Sequence, residues 1–142
     1  MIRGFLVFCL LVGSLGCSKI PRPVDDFKAD QAAKEATRLP KDPGDAQVYQ
    51  ELKKAGHDFS KPTTVDFYLY FPEEGAARGT LQALSTDGYS GEIKMANGQW
   101  ECHLTKTMVI SAEVIDMERF KMRELTVNSG GQYDGWGAPV VK

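Results

Sequence analysis

The segment Thr63-Thr-Val-Asp-Phe-Tyr-Leu-Tyr-Phe71 alternates apolar and polar residues from Val65 onward, and that alternation leaves few architectures open. Successive side chains of a strand point to opposite faces, so Val65, Phe67, Leu69 and Phe71 line one face while Asp66, Tyr68 and Tyr70 line the other. A sheet built on this strand must bury the first face and can leave the second in water. The cover has to come from a chain of 142 residues, 42% hydrophobic and 25% charged, which is the make-up of one ordinary globular domain.

The flanking segments supply that cover. Residues 45–54 read as a short amphipathic helix, with Asp45 as cap, Val48 and Leu52 four apart on one face, and Gly56 as terminator. Pro72, Glu73 and Glu74 suit the first turn of a second helix, where proline needs no donor and acids face the positive end. Its apolar face is Ala76, Ala77, Thr80, Leu81 and Leu84, and Asp87-Gly88 ends it. Gly75 and Gly79 weaken it by ~1 kcal/mol each relative to alanine, so it depends on packing against the sheet. Strands are expected over 89–96 and 99–107, flanking Asn97-Gly98, a pair suited to a two-residue hairpin because both positions require positive φ. Residues 111–127 form the next helix, on which Ile115, Met122 and Leu125 align while Glu118 falls between them; a strand-rich reading also stays open here. Asn128-Ser-Gly-Gly131 breaks it, and residues 132–141 close the chain as a glycine-interrupted strand. The succession β-α-β-β-α-β, preceded by a small helix, predicts an α+β fold of the ferredoxin-like sandwich type, two helices on one face of a four-stranded antiparallel sheet. Tyr68, Tyr70 and His103 belong to the other face.

The start of the chain obeys different rules. Met1 and Arg3 precede the apolar run Phe5-Leu-Val-Phe-Cys-Leu-Leu-Val12 and then Gly13-Ser-Leu-Gly16 and Cys17, the layout of an export signal. A membrane span needs ~20 apolar residues, more than this run holds. Gly16-Cys17 resembles the bacterial lipobox, with Ser14 where leucine is usual; the resemblance implies that Cys17 is acylated and becomes the new N-terminus, the alternative being a plain secretory signal. Ser18 in place of aspartate resembles the outer-membrane sorting pattern. The expectation is a lipoprotein of the cell envelope that faces the periplasm and meets the membrane through its lipid. Residues 18–44 carry Pro21, Pro23, Pro40 and Pro43 among many charges and read as a tether. Within it the alanine-rich stretch from Asp25 to Arg38 can form a transient helix. The folded domain is expected over 45–142.

Composition and spacing narrow the chemistry. The formal charge is −2 and the isoelectric point about 5.7, without the basic field that nucleic-acid binding draws on, so no direct nucleic-acid contact is expected. Tyr68 and Tyr70 resemble an RNA-stacking platform on this architecture, but the acidic balance favours solvated strand residues. With Cys9 in the signal and Cys17 acylated, Cys102 is the remaining thiol and no intramolecular disulfide forms. Cys102 and His103 are adjacent and point to opposite faces, so they form no dyad. Metal-ligand spacings, phosphate loops and nucleophile elbows are absent from the sequence, and neither a cofactor nor catalysis is expected.

Two segments resemble the RraB family, regulators of ribonuclease E activity. They are Gly56-His-Asp-Phe-Ser-Lys-Pro-Thr-Thr-Val-Asp-Phe-Tyr-Leu-Tyr-Phe-Pro72 and Tyr133-Asp-Gly-Trp-Gly137, with Thr105-Lys-Thr-Met108 between them. The resemblance implies a ferredoxin-like sandwich and a non-catalytic protein that binds another protein, ribonuclease E in the cytoplasmic members. An exported domain cannot meet that enzyme, so the fold transfers while the partner stays unidentified; the long acidic stretches of the cytoplasmic members are missing here as well. Tyr133, Asp134, Gly135, Trp136 and Gly137 admit two readings, a core corner shaped by glycines or an aromatic anchor in a partner surface.

Overall fold

The computed structural model describes residues 37–142 together with residues 28, 30, 31 and 34. Cys17, the export segment and the first part of the tether lie outside the described residues. The packed chain runs α1 (Pro43–Lys54), β1 (Thr63–Phe71), α2 (Glu74–Ser85), β2 (Ser90–Ala96), β3 (Gln99–Met108), α3 (Ala112–Val127) and β4 (Gln132–Gly137). The strands form one sheet in the order β2-β3-β1-β4, with every neighbouring pair antiparallel. This is the expected ferredoxin-like sandwich, with α1 added at the β4 end.

The alternation in β1 does what its period demands. Val65, Phe67, Leu69 and Phe71 are completely buried, joined by Cys102 and Leu104 from β3, by Ala77 and Leu84 from α2 and by Ile115 and Met122 from α3. Asn97 and Gly98 both take positive φ, 51° and 80°, and close the β2–β3 hairpin as expected. On α3, Glu118 interrupts the inner face without stranding a charge. Lys106 Nζ lies 3.7 Å from its carboxylate, which also accepts the Tyr89 hydroxyl hydrogen bond. Lys106 and Lys121 sit over the Tyr89 ring at 4.4 and 4.8 Å, and Lys121 also reaches Asp87 at 2.6 Å. The α2–β2 corner is thereby tied to α3, and the helical reading of residues 111–127 holds.

Three local expectations are corrected. Asp42, not Asp45, caps α1: its carboxylate accepts from Gly44 N at 2.9 Å and Asp45 N at 3.3 Å. Pro43 then takes the first helical turn, where its fixed φ suits the helix and its missing donor is not needed. Pro72 stands outside α2, which begins at Glu74 with Glu73 as an N-cap that makes no side-chain capping bond. β4 stops at Gly137, because the tail beyond it bonds elsewhere: Asp58 N donates to Val141 O at 2.7 Å, and Val141 N donates to His57 Nδ1 at 3.1 Å.

Candidate interaction surfaces

The uncovered sheet face carries cross-strand groups that satisfy one another. Thr64 and Thr107 hydroxyls meet at 3.1 Å. Tyr68 and His103, opposite each other in β1 and β3, stack with ring centroids 5.0 Å apart and planes 3° from parallel. His103 Nε2 donates to Asp66 Oδ1 at 2.7 Å, which fixes the proton on that nitrogen. Tyr70 OH donates to Glu101 Oε2 at 3.2 Å, and Lys94 Nζ lies 3.0 Å from Glu101 Oε1. Burial and then the Glu101 charge hold the Tyr70 phenol above its ordinary range. Tyr68 and Tyr70 are half-buried rather than sealed, so this face offers aromatic surface set among fixed polar groups.

The Tyr133-to-Gly137 motif faces the other way. Strict period-two alternation would place Tyr133 and Trp136 on opposite sides of β4. Instead the β1–β4 register shifts between Tyr68 and Leu69, so that Tyr133 pairs with Leu69 and Trp136 with Phe67, both inward positions. Gly135, at φ 134°, supplies the backbone angle for that extra step. Trp136 is buried, Tyr133 half-buried, and Asp134 exposed. Gly137 has no positive φ and pairs with Asp66. The Trp136 indole N–H has no hydrogen-bond partner at normal geometry, although it lies close enough to Asp45 to favour that carboxylate's charged form.

Arg119 joins this corner to α1. Its guanidinium is 2.7 Å from Asp42 and 3.1 Å from both Asp45 oxygens, and it lies over the Tyr133 ring at 5.8 Å. Asp45 is so thoroughly buried that desolvation raises its pKa in spite of Arg119. The Gly56-to-Pro72 motif meets the same corner. Gly56, at φ 79°, ends α1, and His57 N donates back to Leu52 O at 3.0 Å. His57 is buried and accepts from the C-terminal tail through Nδ1, while Phe59 stacks on Tyr49 at 4.6 Å and meets the His57 ring edge-on. Neither Arg119 nor His57 stood out in the sequence, since a lone arginine or histidine gives no periodic signal and its partners are distant along the chain.

A second surface lies on the outer side of α3. Met117, Phe120 and Val127 are 58%, 69% and 67% exposed. They flank an open groove of about 880 Å³ lined also by Arg38, Lys41 and Pro43. Their three- and seven-residue spacing is a second stripe, out of phase with Ile115 and Met122. Cys102, by contrast, is sealed in the core, and burial pushes its thiol up to about 11. Among the described residues no group of three or more His, Cys, Asp or Glu is placed to hold a metal, and no helix is long and apolar enough to cross a membrane.

A protein-family model described as "Regulator of ribonuclease activity B" matches residues 44–138. The chain belongs to the RraB family. No curated protein matches it. The RraB match opens within α1 and closes one residue beyond β4, so it takes in Arg119 and Asp45 but not Asp42, together with both recognised segments and the open sheet face. The family name describes a regulatory role, and the RraB domain here is a regulator in that general sense.

Proposed function

We propose that the protein is a non-catalytic lipoprotein of the cell envelope, anchored by acylated Cys17, whose RraB domain acts by binding another protein through its open sheet face. The observation that carries the interaction role is the family match over residues 44–138. The envelope role rests on the export layout that ends at Cys17. Tyr68 and Tyr70 are the anchors of choice on that face, because tyrosines are frequent interface hot spots and these two are already oriented by His103 and Glu101. The Trp136 ring is unavailable for that role, being part of the core.

One rival follows from the family resemblance, a cytoplasmic protein that binds ribonuclease E directly and inhibits it; the family description itself says only that the family regulates ribonuclease activity. Location separates the two. Full-length protein and its Cys17→Ser variant are expressed, the cells fractionated, and protease applied from the periplasmic side. Membrane association that disappears in the variant, with protease access, supports the lipoprotein. An uncleaved soluble cytoplasmic protein overturns it and favours the ribonuclease regulator. Affinity recovery of partners with the Tyr68→Ala/Tyr70→Ala variant as comparison then tests the face: equal recovery by both proteins removes the sheet from the proposal.

A further inference from the structure

We propose that His57 is a pH-operated latch, holding residues 139–142 against the Gly56-to-Lys61 loop while its ring is neutral and releasing them when Nδ1 takes up a proton. The first argument is which nitrogen is already engaged. Val141 N, a donor in every state, lies 3.1 Å from His57 Nδ1, so that nitrogen presents its lone pair. The ring proton then sits on Nε2, 3.5 Å from Thr63 Oγ1, and the Thr63 hydroxyl donates to Lys61 O at 3.3 Å. One tautomer of the neutral ring satisfies this whole chain of bonds.

The second argument is what a further proton would meet. It can enter only at Nδ1, where it faces the Val141 N–H with no acceptor between the two donors, and its charge falls on a residue that is 6% exposed. The surroundings offer no compensation. From α1 come Tyr49, stacked on Phe59 beside the ring, and Lys53 and Lys54 of the last turn; β1 presents the neutral Thr63 and the tail adds Lys142. The loop carries Lys61 and Asp58, 3.4 Å from each other. The Asp58 carboxylate is taken up by Ser60 N at 3.0 Å and Ser60 Oγ at 2.6 Å. These bonds from Ser60 hold the Asp58 carboxyl below its ordinary range, so it stays charged where histidines titrate. Turning the ring outward would break the same Val141 bond. The other histidine, His103, donates to Asp66 from Nε2 and keeps that bond when protonated.

The tail has few other ties. Asp58 N donates to Val141 O at 2.7 Å and Lys61 Nζ to Lys142 O at 2.8 Å, while Val140 is exposed. Ala138 packs against the core and marks where the released segment starts. Release unties the end of β4 from the first of the two recognised segments. The inference is independent of whether Cys17 is acylated and of which protein the sheet face binds.

Backbone amide exchange and the nitrogen chemical shifts of the His57 ring test it on the full chain, between about pH 8 and pH 5. Each exchange rate is compared with that of an unstructured chain at the same pH. Because one proton enters per release, protection of the Val141 and Asp58 amides is expected to fall about tenfold per pH unit below the His57 titration. The β1 and β3 amides are expected to keep their protection, and Nδ1 to gain its proton at the same midpoint. His57→Asn puts an amide oxygen that does not titrate near the Nδ1 position, and its tail protection is expected to be independent of pH. Protection of Val141 and Asp58 that stays constant in the parent, that falls equally in His57→Asn, or that falls together with β1 and β3 overturns the proposal. A ring titration whose midpoint differs from that of the two amides overturns it as well, whatever the variant does.

Discussion

Removing Arg119 exposes the electrostatic logic of the α1–α3 corner. Its guanidinium is the counter-charge to Asp42 at 2.7 Å and to Asp45 at 3.1 Å, and the Asp45 side chain is only 4% exposed. Stranding one member of a buried ion pair typically costs about 3–5 kcal/mol. Arg119 is itself 26% exposed, and Asp45 can escape its charge by taking up a proton, so Arg119→Ala is expected to cost about 2–3 kcal/mol near neutral pH. For a domain of this size that is roughly a 10–20 °C fall in Tm. The sign of the pH dependence follows from burial, which already raises the Asp45 pKa in the native fold. A carboxyl whose folded pKa lies above its unfolded value destabilises increasingly as pH rises through that window, and the deficit vanishes below the unfolded pKa. Loss of Arg119 raises the folded pKa further, so the Arg119→Ala deficit should shrink as pH falls from about 7 to 5. Asp45→Asn alone should change stability by less than about 1 kcal/mol, since Arg119 keeps Asp42, and combined with Arg119→Ala it should recover at least half the loss. Urea titrations of the four proteins at both pH values measure each quantity. An Arg119→Ala variant within about 0.5 kcal/mol of the parent, or a deficit that grows on acidification, refutes the reasoning.

The remaining predictions concern the Tyr133-to-Gly137 motif and the β2–β3 pair. Gly135→Ala, forced to φ 134°, should cost about 1–3 kcal/mol in urea titration, whereas Gly137→Ala, with open space around its Cβ position and no positive φ, should stay within about 0.5 kcal/mol. Trp136→Ala should cost about 3–5 kcal/mol by thermal or urea unfolding, as expected of a core residue; a stable, fully folded variant would mean the ring is not part of the core. With its thiol held at about 11 and sealed inside, Cys102 should resist alkylation at pH 8 in native protein and react at once in denaturant. Gly91→Ala should be strongly destabilising, because the added carbon would sit 2.2 Å from His103 O; normal melting would show that β2 can shift away from β3.

What the sequence discloses here is what depends on neighbours along the chain. The β1 alternation and the Asn97-Gly98 turn are local, and both appear in the structure where they were expected. Asp42 and Asp45 are equally good capping residues by type, and it is the Asp42 carboxylate that accepts from Gly44 N and Asp45 N, while the Asp45 side chain is buried against Arg119. β4 was expected to reach Val141 because its hydrophobic end looks like strand; its hydrogen bonds go instead to His57 and Asp58, far away in sequence. The shared inward direction of Tyr133 and Trp136 contradicts the strand period and depends on a register shift that has no simple sequence signal beyond Gly135. The exposed stripe on α3 is present in the residue spacing, but the inward alignment of Ile115, Met122 and Leu125, interrupted by Glu118, accounts for the helix without it.

The bulge that turns Trp136 inward also decides how this sheet can meet other sheets. β4 is an edge strand, and an edge with a regular row of free amides and carbonyls invites a foreign strand to join it. Here the row is short and broken at Gly135, and the chain leaves it at Gly137 to be held by His57. The opposite edge, β2, is regular but exposes Glu92 and Lys94. A sheet open to addition on only one, charge-guarded side cannot propagate from copy to copy into a ribbon through both its edges, which keeps the domain safe at high local concentration.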